Sequence, residues 1–353
     1  MSDPESISLP TSTLLDVRAT ESAGRGVFAL QAISAGTTVH TTSSAPVHVI
    51  YRVYRREACN WCWAYDNGRT YKISYEQIAW FCSEACRDEW ERDAGDLGRE
   101  AWAALAEWQR KARRAPDEPS EAVKPSLQDV DAEWATAEAT AVRVFTARTS
   151  TLPKKADRKA LVSALAMPSD DDALSFLLSA LLAAHARPDA FKLLRALERV
   201  DVPYRCADHL EAHTNALLVF TAILPPPLLH GAADVLRIAA QADAHNSFGI
   251  WSGPHEAGEM LGYGIWPDAS FFNHACAPTI AERVRDGRVW RFVASRDVVS
   301  GEQLTISYLS PDELRELDVH ERRAVLRRAW GFECACSRCI EGIVGTQSGN
   351  KSV

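Results

Sequence analysis

The residues with the clearest capacity for chemistry are nine cysteines: Cys59, Cys62, Cys82, Cys86, Cys206, Cys276, Cys334, Cys336 and Cys339. Cys59 and Cys62 form a C-x2-C pair, Cys82 and Cys86 a C-x3-C pair, and nineteen residues separate the two. Two short-spaced pairs joined by a loop of that length are the sequence form of a four-thiolate zinc site: each pair sits on a turn, and the loop lets the turns face each other. The alternative, four thiols used only as small buried apolar groups, does not account for both spacings. Cys334, Cys336 and Cys339 form a C-x-C-x2-C triplet. Three thiolates leave tetrahedral zinc one ligand short, and Cys206, Cys276 or a histidine could complete a structural site. Water in that place would instead make an open, catalytic zinc.

Five other short pieces stand out. They are Gly24-Arg25-Gly26-Val27-Phe28-Ala29, Asn246-Ser247-Phe248-Gly249-Ile250, Phe272-Asn273-His274-Ala275-Cys276-Ala277-Pro278, Gly301-Glu302-Gln303-Leu304-Thr305-Ile306-Ser307-Tyr308 and Trp330-Gly331-Phe332-Glu333. Singly, each has a plain structural account: a turn, a polar corner, an interface aromatic.

The elements that must position these pieces are of two kinds. Residues 14–55 read as strands and turns, with period-2 alternation through Val47, Val49, Tyr51 and Val53. A helical pattern runs from Asp88 to Arg114 and ends in Arg110-Lys111-Ala112-Arg113-Arg114. Those four bases in five residues suit a solvated helix end, or a nuclear-import signal. Pro116, Pro119 and Pro125 mark a linker. Beyond it Trp134, Ala137, Ala141 and Phe145 recur at steps of three and four, and further helices are predicted over 158–167, 171–187, 188–199 and 208–222. Glycines 249, 253, 258, 262 and 264 then lie among aromatics, which predicts strands where backbone approaches a ligand closely. A hairpin turning at Asp286-Gly287 follows, then a strand over 301–309, a helix over 312–330 and a frayed end from Glu341. The fold class is α+β.

The chain has 353 residues, 46% hydrophobic and 24% charged, with 39 Lys and Arg against 47 Asp and Glu. A net charge of −8 argues against direct nucleic-acid binding and is compatible with a basic protein substrate. No run of about 18 apolar residues predicts a membrane span. The polar start, Met1 to Thr13, lacks the apolar core of a signal peptide. An intracellular location, nuclear or cytoplasmic, is therefore expected, where cysteines serve as metal ligands or buried thiols rather than disulfides.

Read together and in order, the five pieces resemble the SET methyltransferase family, and within it the SMYD-like branch, over about residues 14–90 and 240–340. The resemblance implies a β-rich SET core in two parts, 14–56 and 241–310. A MYND-type zinc finger at 57–90 and a helical insert at 91–240 split it. A zinc-bound post-SET segment at 311–340 and a disordered tail at 341–353 follow. It implies S-adenosylmethionine as cofactor, held by Gly24, Arg25, Gly26, Asn246, Asn273 and His274, with Phe332 stacked on the adenine. Trp330 would wall the lysine channel, and Tyr308 would be the catalytic tyrosine. It also names Cys276 as the fourth ligand beside Cys334, Cys336 and Cys339. With Cys59, Cys62, Cys82 and Cys86 this makes two structural zinc ions and leaves Cys206 unassigned. The implied function is methylation of lysine in proteins, histone tails among them. The competing reading is a catalytically inactive SET-derived zinc scaffold that binds protein partners. A third, a cysteine enzyme built on Cys206 with His209 or His213, is the weakest.

Two departures from the family pattern stand out. MYND fingers carry four ligand pairs on two interleaved zinc ions, and here only the first and third pairs are present, so one site is complete and the other is missing as a unit. Thr279 stands where an asparagine usually follows the N-H-x-C-x-P motif.

Overall fold

The computed structural model describes residues 13–21, 23–115, 123–253 and 258–349, with side chains to residue 344. Most of the polar start, Pro116 and Pro119 of the expected linker, and the last four residues lie outside these. Four strands open the chain: β1 (Leu15–Ala19), β2 (Arg25–Ala29), β3 (Thr38–Thr41) and β4 (Val47–Ile50). A small hairpin, β5 (Ile73–Tyr75) and β6 (Ala79–Phe81), leads into helices α1 (Glu84–Gln109), α2 (Leu127–Thr149), α3 (Lys155–Leu165) and α4 (Asp171–Ala186). Helices α5 (Pro188–Arg195), α6 (Ala207–Ile223) and α7 (Ala232–Asn246) follow, then strands β7 (Ser247–Trp251), β8 (Met260–Ile265) and β9 (Asn273–His274). Strands β10 (Glu282–Asp286), β11 (Val289–Val293) and β12 (Gln303–Ile306) precede helices α8 (Pro311–Glu316), α9 (Val319–Trp330) and α10 (Ser337–Gly349). The chain divides into two compact units, Met1–Ser43 with Asp268–Val353, and Ser44–Pro267.

In the first unit β1, β2, β12 and β9 form one sheet, and β10, β11 and β3 another. Strand β12 pairs antiparallel with β2 and parallel with the two-residue strand β9. The hairpin β10–β11 turns at Gly287-Arg288, one residue later than expected, because Asp286 still pairs with Val289. Gly287, at φ 57°, then takes the first central position, where the turn requires positive φ. Trp290 and Phe292 point inward from β11, and Phe292 stacks on Phe272 at 4.9 Å and 6°. The helix expected over 312–330 is two helices. Leu317 is extended, and Asp318 caps α9 in a reciprocal box with Glu321, a better start than a continued α8 would have. The chain end, expected to fray from Glu341, stays helical to Gly349. Where the chain leaves and re-enters this unit, Asp268 Oδ2 accepts the Ser43 backbone N–H at 2.7 Å and its hydroxyl at 3.3 Å.

In the second unit β4, β8 and β7 form a sheet, with α4 packed against β4. Helix α4 buries Leu174 through Leu181 without interruption, as befits a helix covered on every side. A Cβ on Gly262 would collide with the Val49 carbonyl oxygen and lie 2.9 Å from the Ile50 Cα. The glycines of β8 thus answer the close approach of strand β4, where the sequence suggested a ligand. Helix α2 starts at Ser126 with a capping box to Asp129. It buries Val130, Trp134, Ala137, Val144 and Ala147. Phe145, which continues the spacing of Trp134, Ala137 and Ala141, is 38% exposed, while Val144 is fully buried. Cys206 precedes α6, buried, with no hydrogen-bond partner for its sulfur among the described residues. His213 is half-buried, edge-on against Tyr204, and desolvation with the nearby His209 lowers its pKa to about 4. Nothing there activates Cys206 as a nucleophile.

Candidate active site and metal centres

The first unit brings together all of the proposed active-site residues except Asn246. The parallel pairing of Thr305 with Asn273 and Ile306 with His274 sets the N-H-x-C segment alongside β12. The antiparallel pairing of β12 with β2 sets the glycine turn on its other side. Gly24, at φ 64°, closes the β1–β2 turn by accepting the Thr20 N–H at 2.8 Å. Asn273 Nδ2 donates to the Arg25 carbonyl at 2.9 Å, and the Arg25 guanidinium lies 5.1 Å from the Phe271 ring centre. A Cβ on Gly26 would collide with Gln303 Nε2 and lie 2.9 Å from Asn273 Nδ2, so a side chain there would displace both amides. Gln303 Nε2 is buried without a hydrogen-bond partner among the described residues. An orphaned donor beside a glycine cradle is what a bound polar ligand would satisfy.

Tyr308 follows β12 in a turn that Ser307 closes through its hydroxyl, which donates to the Leu309 carbonyl at 2.8 Å and accepts the Leu309 N–H at 3.0 Å. The Tyr308 ring is 5.4 Å from His274, 5.5 Å from Trp330 and 6.2 Å from Phe332. Gly331, left-handed at φ 76°, ends α9 and reverses the chain between Trp330 and Phe332, so both rings reach Tyr308. The Tyr308 hydroxyl donates to the Phe272 carbonyl at 3.1 Å. Burial pushes its pKa up to about 12, with Arg283 pulling the other way, so the phenol keeps its proton at neutral pH.

His274 ties this cluster to the cysteines. Its Nδ1 accepts the Tyr308 backbone N–H at 2.9 Å, which requires that nitrogen to be unprotonated. Burial lowers its pKa to about 4, Cys336 opposing and Arg322 adding to the shift, so the ring is neutral and its proton sits on Nε2. Nε2 lies 3.3 Å from Cys276 Sγ and donates to it.

Two groups of four cysteines each hold their Sγ atoms within 4.8 Å of one another: Cys59, Cys62, Cys82 and Cys86, and Cys276, Cys334, Cys336 and Cys339. Four thiolates 2.3 Å from one zinc stand about 3.8 Å apart. Cys62–Cys82 and Cys82–Cys86 are both 3.5 Å, Cys276–Cys339 is 3.5 Å and Cys276–Cys334 is 3.9 Å. Both donor sets fit zinc. Each group is finished by a helix start. Ser83 caps α1 by accepting the Cys86 N–H at 3.2 Å, and Cys339 lies in the first turn of α10. A helix N-terminus favours thiolate over thiol. Around the first group the hairpin β5–β6 supplies a small core, with Trp90 5.7 Å from Phe81 and 5.3 Å from Tyr75. A two-stranded hairpin is marginal by itself, and a bound metal would supply what it lacks.

Two further participants, Arg338 and Arg322, went unread in the sequence. Arg338 donates to the Cys276 carbonyl at 2.9 Å and to the Leu314 carbonyl at 2.8 Å. Arg322 is buried among the C-terminal thiols. Burial works against its charge, but the Cys276 and Cys339 sulfurs more than offset this and raise its pKa. Its position was legible, since Val319, Arg322 and Leu326 share one helical face. Thr279 exchanges hydrogen bonds with Thr305. Its hydroxyl accepts the Thr305 N–H at 2.7 Å, and its N–H donates to the Thr305 hydroxyl at 3.2 Å. The substituted position thus holds its segment against β12. Asn246 ends α7 in the second unit, where its Nδ2 donates to the Glu198 and Ala242 carbonyls, each at 2.8 Å.

Comparison with known proteins gives the family. A "potential protein lysine methyltransferase SET6" of Saccharomyces cerevisiae is 26% identical over 93% of this chain and 95% of its own length. Human "histone-lysine N-methyltransferase SMYD3" is 41% identical over a shorter stretch, 23% of this chain and 18% of that protein. Arabidopsis thaliana "histone-lysine N-methyltransferase ASHR2" is 28% identical over 49% of this chain and 46% of its own. A crystal structure of the SET domain of LSMT bound to lysine and AdoHcy aligns over 93% of this chain and 54% of that one, at 13% identity and a TM-score of 0.29, too slight a likeness to add weight. The SET-domain profile matches residues 24–309, from the glycine turn to the residue after Tyr308, and the chain belongs to the SET-domain family.

Proposed function

We propose that this chain transfers a methyl group from S-adenosylmethionine to lysine side chains of proteins, with histone tails as one substrate class. The observation that carries this reading is the convergence of Tyr308, Trp330, Phe332 and His274 in the first unit, with the Gly26 cradle on the neighbouring strand. The cofactor supplies an electrophilic methyl on a cationic sulfur. Gly24, Arg25, Gly26 and Asn273 would hold it, with Gln303 offering its orphaned amide, and Phe332 would stack on the adenine. The lysine must arrive as a neutral amine, although its solution pKa is near 10.4. An apolar aromatic wall disfavours the ammonium and lowers that value. The Tyr308 hydroxyl, still protonated, donates to Phe272 and offers its lone pairs to an amine N–H. It therefore orients the nucleophile, and geometry supplies most of the rate. Each cysteine group is assigned one structural zinc. The reading places the protein inside the cell.

Incubation with methyl-labelled S-adenosylmethionine, core histones and cell extract tests this. Label in lysine is the expected result. No label in any protein and no binding of the cofactor would leave the inactive scaffold as the better account. A second expectation follows from His274. Changing it to Ala removes the acceptor of the Tyr308 N–H and the donor to Cys276 together. The rate of methyl transfer should fall about 10- to 100-fold, and zinc should leave the C-terminal group faster, as followed with a chromogenic chelator. An unchanged zinc release rate would show that the Cys276 contact is incidental.

A further inference from the structure

A cavity of about 520 Å³ opens in the second unit, between the finger hairpin, α1, β4 and the start of α4. That volume is within the range of about 300–1,000 Å³ typical of ligand sites. Its lining carries five arginines, Arg52, Arg55, Arg56, Arg110 and Arg114, and one carboxylate, Asp171. In a chain of net charge −8 this is a strong local reversal. Two of the five are already answered: Arg52 pairs with Asp171 at 2.7 Å, and Arg55 with Asp172 at 3.7 Å and the Ser175 hydroxyl at 2.9 Å. Arg56, Arg110 and Arg114 are exposed and have no carboxylate within ion-pair distance among the described residues. The carboxylate of Glu107 is taken by Lys111 at 2.8 Å.

The cations stand beside apolar and aromatic surface. Helix α1 turns Trp102, Leu105, Ala106 and Gln109 to the cavity, and Trp80 and Trp90 line it from the finger side. The Arg56 guanidinium lies over the Trp80 ring, 5.2 Å from its centre. Gln109 Nε2 is buried with no hydrogen-bond partner among the described residues, an unused donor on the cavity wall.

We propose that this cavity docks an acidic peptide segment of a protein partner, with its carboxylates on Arg56, Arg110 and Arg114 and an apolar side chain among Trp80, Trp90 and Trp102. Guanidinium forks match carboxylates two bonds at a time, and clustered arginines are a recurring device for reading acidic motifs. Free cations and indole surface in one cavity call for a ligand that carries both charge and apolar bulk. A peptide mixing glutamate with leucine does so. The rest of the molecule, being acidic, repels a nucleic-acid backbone, which weighs against that polyanion. The Arg110–Arg114 cluster thus faces a recognition site, in addition to ending a helix. None of these residues belongs to the Tyr308 group, so the site is independent of the proposed methyl transfer.

The test is fluorescence anisotropy of the full chain with fluorescein-labelled Glu-Leu-Glu-Glu-Leu-Glu-Glu-Leu and its Gln-for-Glu counterpart. The Glu peptide should bind at least about tenfold more tightly, and the gap should narrow between about 50 and 200 mM salt. The triple change Arg56→Gln, Arg110→Gln, Arg114→Gln should lower its affinity at least about tenfold, with zinc content and circular dichroism unchanged. Ala106→Trp, which fills the cavity without altering charge, should weaken both peptides. Equal binding of the two peptides, or undiminished binding by either variant, overturns the proposal. So does displacement of the peptide by duplex DNA at lower concentration than by unlabelled peptide, which would make this a nucleic-acid surface.

Discussion

Tyr308→Phe will lower the rate of methyl transfer by about 100-fold or more and leave cofactor affinity within about twofold. The ring stays, so its packing against His274, Trp330 and Phe332 survives; only the hydroxyl is lost. In the proposed reading that hydroxyl holds the amine lone pair on line with the methyl, and misplacement on the scale of an ångström costs rates of this order. The Phe272 carbonyl also loses its donor, so stability should fall by about 1–3 kcal/mol, seen as a lower denaturant midpoint. The pH profile separates orientation from base catalysis. A phenol raised to about 12 stays protonated across pH 7–10, and a rate that climbs with pH in that window follows deprotonation of the substrate amine. Variant and parent should therefore climb with the same apparent pKa at different heights. A limb present only in the parent would make Tyr308 the titrating base.

Cys276→Ser will reduce bound zinc from two ions per chain to one and unfold the C-terminal segment, whereas Cys206→Ser will leave both ions in place. Zinc in small four-thiolate sites contributes about 10–16 kcal/mol of apparent binding energy at neutral pH, so losing one ligand reaches well beyond a single contact. Cys276 comes from the segment after β9, while its three partners follow α9. An ion bound there would therefore be the cross-link that holds Phe332 and Trp330 to Tyr308. The variant should show one zinc by atomic emission, a lowered melting temperature and no methyl transfer. Two retained ions would mean that Cys276 is not a ligand. Arg322 sharpens the expectation. Four thiolates around zinc carry a net charge of −2, and this buried guanidinium offsets part of it. Removing the ion while keeping three thiols would leave that cation with less to balance it.

What the sequence could and could not disclose follows from how local each feature is. The two cysteine groups were legible because a metal imposes short spacings, although spacing alone left Cys276, Cys206 and a histidine as equal candidates for the fourth place. Helices α3 to α6 fell within a few residues of the expected spans, because alanine- and leucine-rich periodicity is strong. Phe145 misled because a 23-residue helix drifts out of any fixed step pattern, and tertiary contacts chose Val144 instead. The split between α8 and α9 rests on a capping box, Asp318 to Glu321, that a run of helix formers hides. Glycines 262 and 264 were read as room for a ligand when they make room for a strand, a distinction no single sequence contains. The role of His274 toward both Tyr308 and Cys276, the orphaned Gln303 amide and the arginine-lined cavity are products of long-range pairing.

The Ser43–Asp268 clasp has a bearing on how this chain could have grown. Two points 225 positions apart in sequence are held within one hydrogen bond, so the first unit experiences the whole of Ser44–Pro267 as a loop whose ends are already closed. The entropy of closing such a loop grows only logarithmically with its length, and doubling it costs about 0.6 kcal/mol. Segments could enter or leave between these two residues with little penalty to the sheet that carries Tyr308. A finger with one complete zinc site in place of two, against the intact set of Cys276 and the three cysteines that follow Tyr308, is what unequal constraint on the two sides of that clasp would produce.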